Sequence, residues 1–244
     1  MFDSYDRRAR LTPGLLAGLP VAFLVSAVGW TRFPVASVAA GLATAAGVTY
    51  LVAAIVRQQG RRIEPGLWAS WGGPPTTRKL RLREITTSPL QRDPWRKAVQ
   101  EITHVELRSA EMELSQPEAA DELIEVAVQQ LLPFGHAGSA YPLVRAENAA
   151  YGFERNLWAI RTFGRCVAAL CLCAAVVALL SGLVGGDLGD DGGASLLILA
   201  MIESTCLAAW ILAPSQSRLQ DAADRYATQL LNAAVAEAHQ IASD

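Results

Sequence analysis

Four stretches of the chain are apolar for long enough to cross a bilayer, and they fall into two pairs. A transmembrane helix needs about 20 mostly apolar residues. Residues 11–30 and 34–56 make the first pair, with a tight Thr31-Arg32-Phe33 turn between them. Residues 167–184 and 194–213 make the second, joined by a glycine-rich acidic stretch, 185–193, that has no Lys or Arg. Elsewhere the apolar positions recur mostly at helical spacing. The expected fold is therefore an all-α membrane protein. Two transmembrane hairpins, 1–56 and 163–213, flank a mainly helical cytoplasmic module, 57–162, and a C-terminal cytoplasmic helix, 214–244, follows.

Local signals divide the cytoplasmic part. Residues 66–77 carry five Gly and Pro, which predicts an irregular turn rather than a regular helix. Asp93-Pro94 reads as an N-cap and first-position pair. Trp95, Ala98, Val99, Ile102, Val105 and Met112 then recur at helical spacing. Ser115, Pro117 and Glu118 fit a capping box, opening a helix that runs to Pro133. A loop over 133–141 follows, and then a helix from about Leu143 that continues into the third span. Pro214 and Ser215 open a last helix with a stripe of Leu219, Ala223, Tyr226, Leu230, Ala234 and Ile241.

Charge sets the expected orientation. Arg7, Arg8 and Arg10 precede the first span, Arg57, Arg61 and Arg62 follow the second, and Arg155, Arg161 and Arg165 precede the third. The two hairpin tips hold only Arg32. Cations accumulate on the cytoplasmic side, so both termini and the central module of a multi-pass membrane protein are expected there. The first segment also resembles a signal peptide, but cleavage would leave the closely following second span in the wrong orientation.

The formal net charge of −2 hides a polarised chain. Residues 57–97 hold ten Lys and Arg against three acids, and 98–135 hold eight acids against Arg108 alone. The basic half includes Trp68, Trp71 and the run Arg78, Lys79, Arg81 and Arg83. Cations beside aromatic rings suit a polyanion, with phosphates on the charges and bases on the rings. The same cluster next to a span also suits anionic lipid or topology control, and the acidic half is a competitor for the same cations.

Polar positions inside the spans are the second source of candidate chemistry. Glu203 lies near the middle of the fourth span, where an ionisable group costs at least ~2.5–3.5 kcal/mol. It reads either as a protonated side chain hydrogen-bonded between helices or as a group that lines or gates a pore. Ser37, Gly41 and Thr44 form a stripe on the second span that either packs against the first or lines an aqueous path. Asn148, Arg155 and Asn156, among Tyr151, Phe153 and Trp158, mark a membrane-proximal hub with either a coupling or an anchoring role.

Catalysis finds no support. The chain has no phosphate loop, nucleophile elbow or H-E-x-x-H motif, and His104, His136 and His239 lack metal-ligand spacing. Cys166, Cys171, Cys173 and Cys206 all sit in apolar stretches without a C-x-x-C pair. No cofactor and no metal are expected.

The Trp68–Trp71 turn, the 78–83 run and the 147–156 stretch, in an order of two spans, a cytoplasmic module and two spans, resemble small membrane effectors of bacterial anti-phage defence. Among these the chain resembles the membrane channel subunit of Hailong defence. That subunit works beside a nucleotidyltransferase whose short single-stranded DNA oligomers hold it closed. The resemblance implies a homo-oligomeric channel, closed while DNA is bound, with a functional link to a nucleotidyltransferase. From the residues alone, two readings stand: a channel gated by a cytoplasmic nucleic acid or nucleotide, or a non-catalytic membrane anchor that recruits a soluble partner through its acidic helices.

Overall fold

The computed structural model describes residues 12–29, 36–136, 140–185 and 190–243, and within these not the side chains of 25–53, 190 and 191. Helices account for nearly all of it: α1 (Thr12–Gly29), α2 (Ala36–Trp71), α3 (Pro75–Leu80), α4 (Pro89–Thr103), α5 (Ala110–Ser115), α6 (Pro117–Leu131), α7 (Pro142–Ala159), α8 (Arg161–Gly185), α9 (Asp190–Leu212) and α10 (Gln216–Ser243). A 3-10 turn, Leu132–Gly135, follows α6.

The chain divides into two compact units. Of the described residues, one holds those within 63–152 and 217–243, and the other those within 12–62 and 153–216. The divisions fall inside α2 and inside α7.

In the first unit α3, α4, α6 and α10 bury their apolar faces together. Leu80, Val99, Ile124, Leu131 and Leu230 are at most 1% exposed there. Trp95 joins this core, and its indole N–H donates to Asn232 Oδ1 at 2.9 Å. The expected stripe on the last helix faces inward at Leu219, Ala223, Leu230 and Ala234, whereas Ile241 is exposed. The C-terminal helix thus contributes to the core of this unit.

The second unit contains the apolar helices. Two of them, α8 and the 192–212 part of α9, are long and apolar enough to cross a membrane, with mean hydropathy of 2.7 and 2.0. Only 17% and 22% of the positions in their apolar windows are buried. Leu170, Leu183, Val184, Met201 and Leu212 all lie more than 60% exposed. The core helix of a soluble protein would bury most of such positions. Where the sequence predicts four spans, these two meet the requirement among the described residues. The Thr12–Leu24 stretch of α1 is apolar but shorter. Residues 34–35 of the second predicted span, and its side chains up to residue 53, lie outside the described residues.

Close contacts hold α8 and α9 together. A Cβ on Gly164 would stand 2.4 Å from the Trp210 ring, so only glycine lets the two helices approach there. Arg165 donates to the carbonyls of Trp210 at 3.1 Å and Ile211 at 3.3 Å. A cation on the open carbonyls of a helix end satisfies them and complements the helix dipole. Gly60 of α2 similarly admits α7, since a Cβ there would lie 2.0 Å from Asn156 Oδ1.

Five local expectations need correction. Residues 66–71 are helical, because α2 runs through Pro65 and Gly66 to Trp71. An interior proline costs about 3 kcal/mol, but Leu67 and Trp71 are both buried and burying two large apolar side chains returns about 3–6 kcal/mol. The helix stops where Gly72 and Gly73 take φ of 83° and 127°, a region that favours glycine. The short helix α3 follows at Pro75, and the helix expected to open at Asp93-Pro94 begins at Pro89 instead, with Pro94 inside α4. That helix ends at Thr103 on a left-handed His104, so Val105 and Met112 do not continue it. Finally, Ser115 closes α5 and Gln116 caps α6 without a side-chain bond, so no capping box forms, although Pro117 does occupy the first turn. The α7 helix does not run unbroken into α8, since Ile160 interrupts it as a turn.

Candidate functional site

The basic run sits in a knot of ion pairs within the first unit. Glu113, on the short helix α5, is fully buried. Its Oε1 accepts from Arg96 at 2.9 Å, and its Oε2 accepts from the backbone N–H groups of Leu82 at 2.7 Å and Arg83 at 3.3 Å. Arg96 also donates to the Leu80 and Arg108 carbonyls. Burial lowers the Arg96 pKa, and the neighbouring Glu113 opposes that shift. Arg92 donates to the carbonyls of Arg81 and Glu84. The non-helical segment between α3 and α4 is therefore pinned by guanidinium groups along its length.

The cations singled out in the sequence all find acids here. Arg78 is bound to Glu84 at 2.9 Å. Arg81 and Arg83 converge on Asp121 of α6 at 2.8 and 2.7 Å. Arg81 also donates to the Gly72 carbonyl. Lys79 is the loosest, 3.8 Å from Asp224. Arg81, Arg83 and Asp121 are each at most 21% exposed at the side chain. The indoles are placed differently. Trp71 is packed into the unit and Trp68 is half-buried, and the ring N–H of each is enclosed with no acceptor among the described residues.

Trp68 belongs to a cleft of about 180 Å3 in the same unit. The Pro74–Thr77 turn, α6, Tyr151 of α7 and α10 supply the other walls. Tyr151 and Tyr226 stack nearly parallel there, with centroids 6.1 Å apart and planes 6° from each other. The Tyr151 hydroxyl donates to Glu64 Oε1 at 2.9 Å. No spacing in the sequence announces this cleft, because its walls come from positions far apart in the chain, such as Trp68 and Tyr226.

Glu203 presents the opposite situation to Glu113. It too is fully exposed to protein and not to solvent, at 0% accessibility. Neither of its carboxylate oxygens has a hydrogen-bond partner among the described residues. The adjacent hydroxyls are committed elsewhere, since Ser204 donates to the Ala200 carbonyl and Thr205 to that of Met201. Cys171 of α8 and Cys206 are its titratable neighbours. Glu203 thus lies inside the helix cluster of its own chain and not on the exposed faces of α8 and α9.

The remaining predicted residues are scattered. Asn148 donates to the Gly135 carbonyl at 3.4 Å in the first unit. Arg155 and Asn156 stand against Gly60 in the second. The Ser37 and Thr44 side chains lie outside the described residues. Among the described residues no group of three or more His, Cys, Asp or Glu side chains could hold a metal ion.

No known protein family, curated protein or solved structure matches this chain.

Proposed function

We propose that the chain is a subunit of a homo-oligomeric membrane channel, an effector of bacterial anti-phage defence as its resemblance implies, and that Glu203 is its gate. The observation that carries this reading is the Glu203 carboxylate, enclosed without a hydrogen-bond partner among the described residues, in helices whose outer faces are apolar and exposed. Ionisable groups inside membrane helices face a bundle interior or a water-filled cavity, because a buried charge without partners is costly. Separation of α8 from α9 would bring water to Glu203. The closed and open states would then differ by hydration of one carboxylate. Four spans, the fourth containing Glu203, belong to this reading.

The ligand reading takes the form of a competition. A nucleic acid or nucleotide on Arg78, Lys79, Arg81 and Arg83 must displace Glu84 and Asp121, and phosphate groups suit those guanidiniums because they accept the same forked hydrogen bonds as a carboxylate. Release of Asp121 would loosen the segment between α3 and α4. Proteoliposome ion flux, with and without single-stranded oligonucleotide, tests the proposal. Flux that changes with oligonucleotide, and that shifts at least tenfold in Glu203→Gln, is the expected result. No flux in any state overturns it.

The anchor reading has one observation in its favour. Glu118, Glu122 and Glu125 lie exposed along α6 with Val126 exposed among them, a surface suited to a basic partner. Co-purification of a stoichiometric soluble partner, without flux, would select it.

A further inference from the structure

The geometry points to a binding site for a quaternary ammonium group in the cleft of the first unit. This site is independent of the channel reading and distinct from the arginine knot. Three aromatic side chains line the cleft, Trp68, Tyr151 and Tyr226, and no Lys, Arg or His among the described residues does. The one carboxylate in its walls is Glu125, an exposed residue on α6 for which no ion pair exists among the described residues.

That combination selects the sign of the ligand. A phosphate or carboxylate would find no cation in the walls and a like charge at Glu125. An organic cation would find three aromatic rings, whose quadrupoles attract cations, and a counter-charge. Tyr151 strengthens the case. Its hydroxyl donates to Glu64, which leaves the phenol ring richer in electrons and a better partner for a cation. The apolar remainder of the lining, Pro75, Val128 and Leu230 among it, suits methyl groups and disfavours a strongly hydrated ammonium. Size sets the other bound. At about 180 Å3 the cleft is smaller than the ~300–1,000 Å3 of sites for drug-sized molecules, so it accommodates a head group and not an extended ligand. A methylated ammonium such as that of choline meets every condition, either as a free solute or as the head group of a lipid.

Calorimetric titration of the full-length protein in nanodiscs is the test, with choline and its neutral isostere 3,3-dimethylbutanol as probes. Discs without and with phosphatidylcholine separate the two sources. Saturable choline binding, at least tenfold tighter than that of the isostere, is expected. If phosphatidylcholine in the disc suppresses it, the lipid head group is the occupant. If not, the free cation is. Glu125→Gln should weaken choline several-fold without shifting the unfolding midpoint, because the residue is exposed. Tyr226→Leu should abolish binding, whereas Tyr226→Phe should retain it. Equal binding of the isostere, choline binding unchanged in Glu125→Gln, or no saturable heat in either disc would each overturn the assignment.

Discussion

Two carboxylates of this chain are equally buried and live in opposite surroundings. Glu113 has a guanidinium on one oxygen and two backbone N–H groups on the other. Glu203 has no hydrogen-bond partner on either among the described residues. Burial alone therefore says little about a charged side chain, and the partners decide its role. A fully paired buried charge holds a structure together, here by tying the segment after α3 to α5. A buried carboxylate without partners weakens the helices around it, and such a liability is tolerated where a function needs it.

Removing one side of each arrangement separates the two roles most sharply. Glu113→Ala leaves Arg96 buried and unpaired and should cost about 3–5 kcal/mol, seen as an earlier denaturant midpoint of the full-length protein in detergent. Glu203→Leu should leave the midpoint unchanged or raise it, because a fitting apolar side chain replaces an unsatisfied polar one, while ion flux is lost. A destabilisation by Glu203→Leu as large as that of Glu113→Ala would erase the contrast.

Smaller effects test the packing of each unit. Gly164→Ala should cost about 1–3 kcal/mol by forcing Trp210 away from α8, and Trp210→Leu should recover part of it. Combined loss equal to the sum of the two single losses would show that the contact does not matter. In the first unit, Asp121→Asn removes the shared acid of Arg81 and Arg83. It should cost less than Glu113→Ala, because Asp121 is partly exposed, and it should tighten oligonucleotide binding and steepen its salt dependence. Unchanged binding would detach the arginine knot from the ligand reading.

The smallest effect is a titration. The Tyr141 hydroxyl donates to Glu237, and burial together with that carboxylate pushes its pKa up to about 12 from the usual ~10. The folded state therefore favours the protonated phenol. The stabilisation is complete below pH ~10 and is lost as the pH rises from there through 12. Tyr141→Phe should flatten the unfolding midpoint over that interval, and a Phe variant as pH-sensitive as the parent would assign the dependence to another group.

Much of the helical plan is legible along the chain, and the exceptions share a cause. Gly72-Gly73 marks a helix end correctly because both residues take backbone angles that favour glycine. Pro65 and Gly66 mislead because their local cost is outweighed by the burial of Leu67 and Trp71, which depends on residues far away. His104 ends α4 in a left-handed conformation that no glycine signals. The basic run shows a related limit. Its charges are plain in the sequence, but whether they face a ligand or an acid depends on α6 lying beside it, with Asp121 about 40 residues further on.

Composition and periodicity were sufficient to determine a helical chain and a charge distribution split between adjoining segments, because each follows from neighbouring residues; they also predicted four membrane spans, of which two helices among the described residues are long and apolar enough. Only the tertiary structure decided that α10 completes the core of the first unit, that the arginines are paired, that three distant aromatic side chains line one cleft, and that Glu113 is satisfied where Glu203 is not. Those outcomes depend on hydrogen bonds and packing between segments far apart in the chain, and spacing along a chain carries no record of which distant groups will meet.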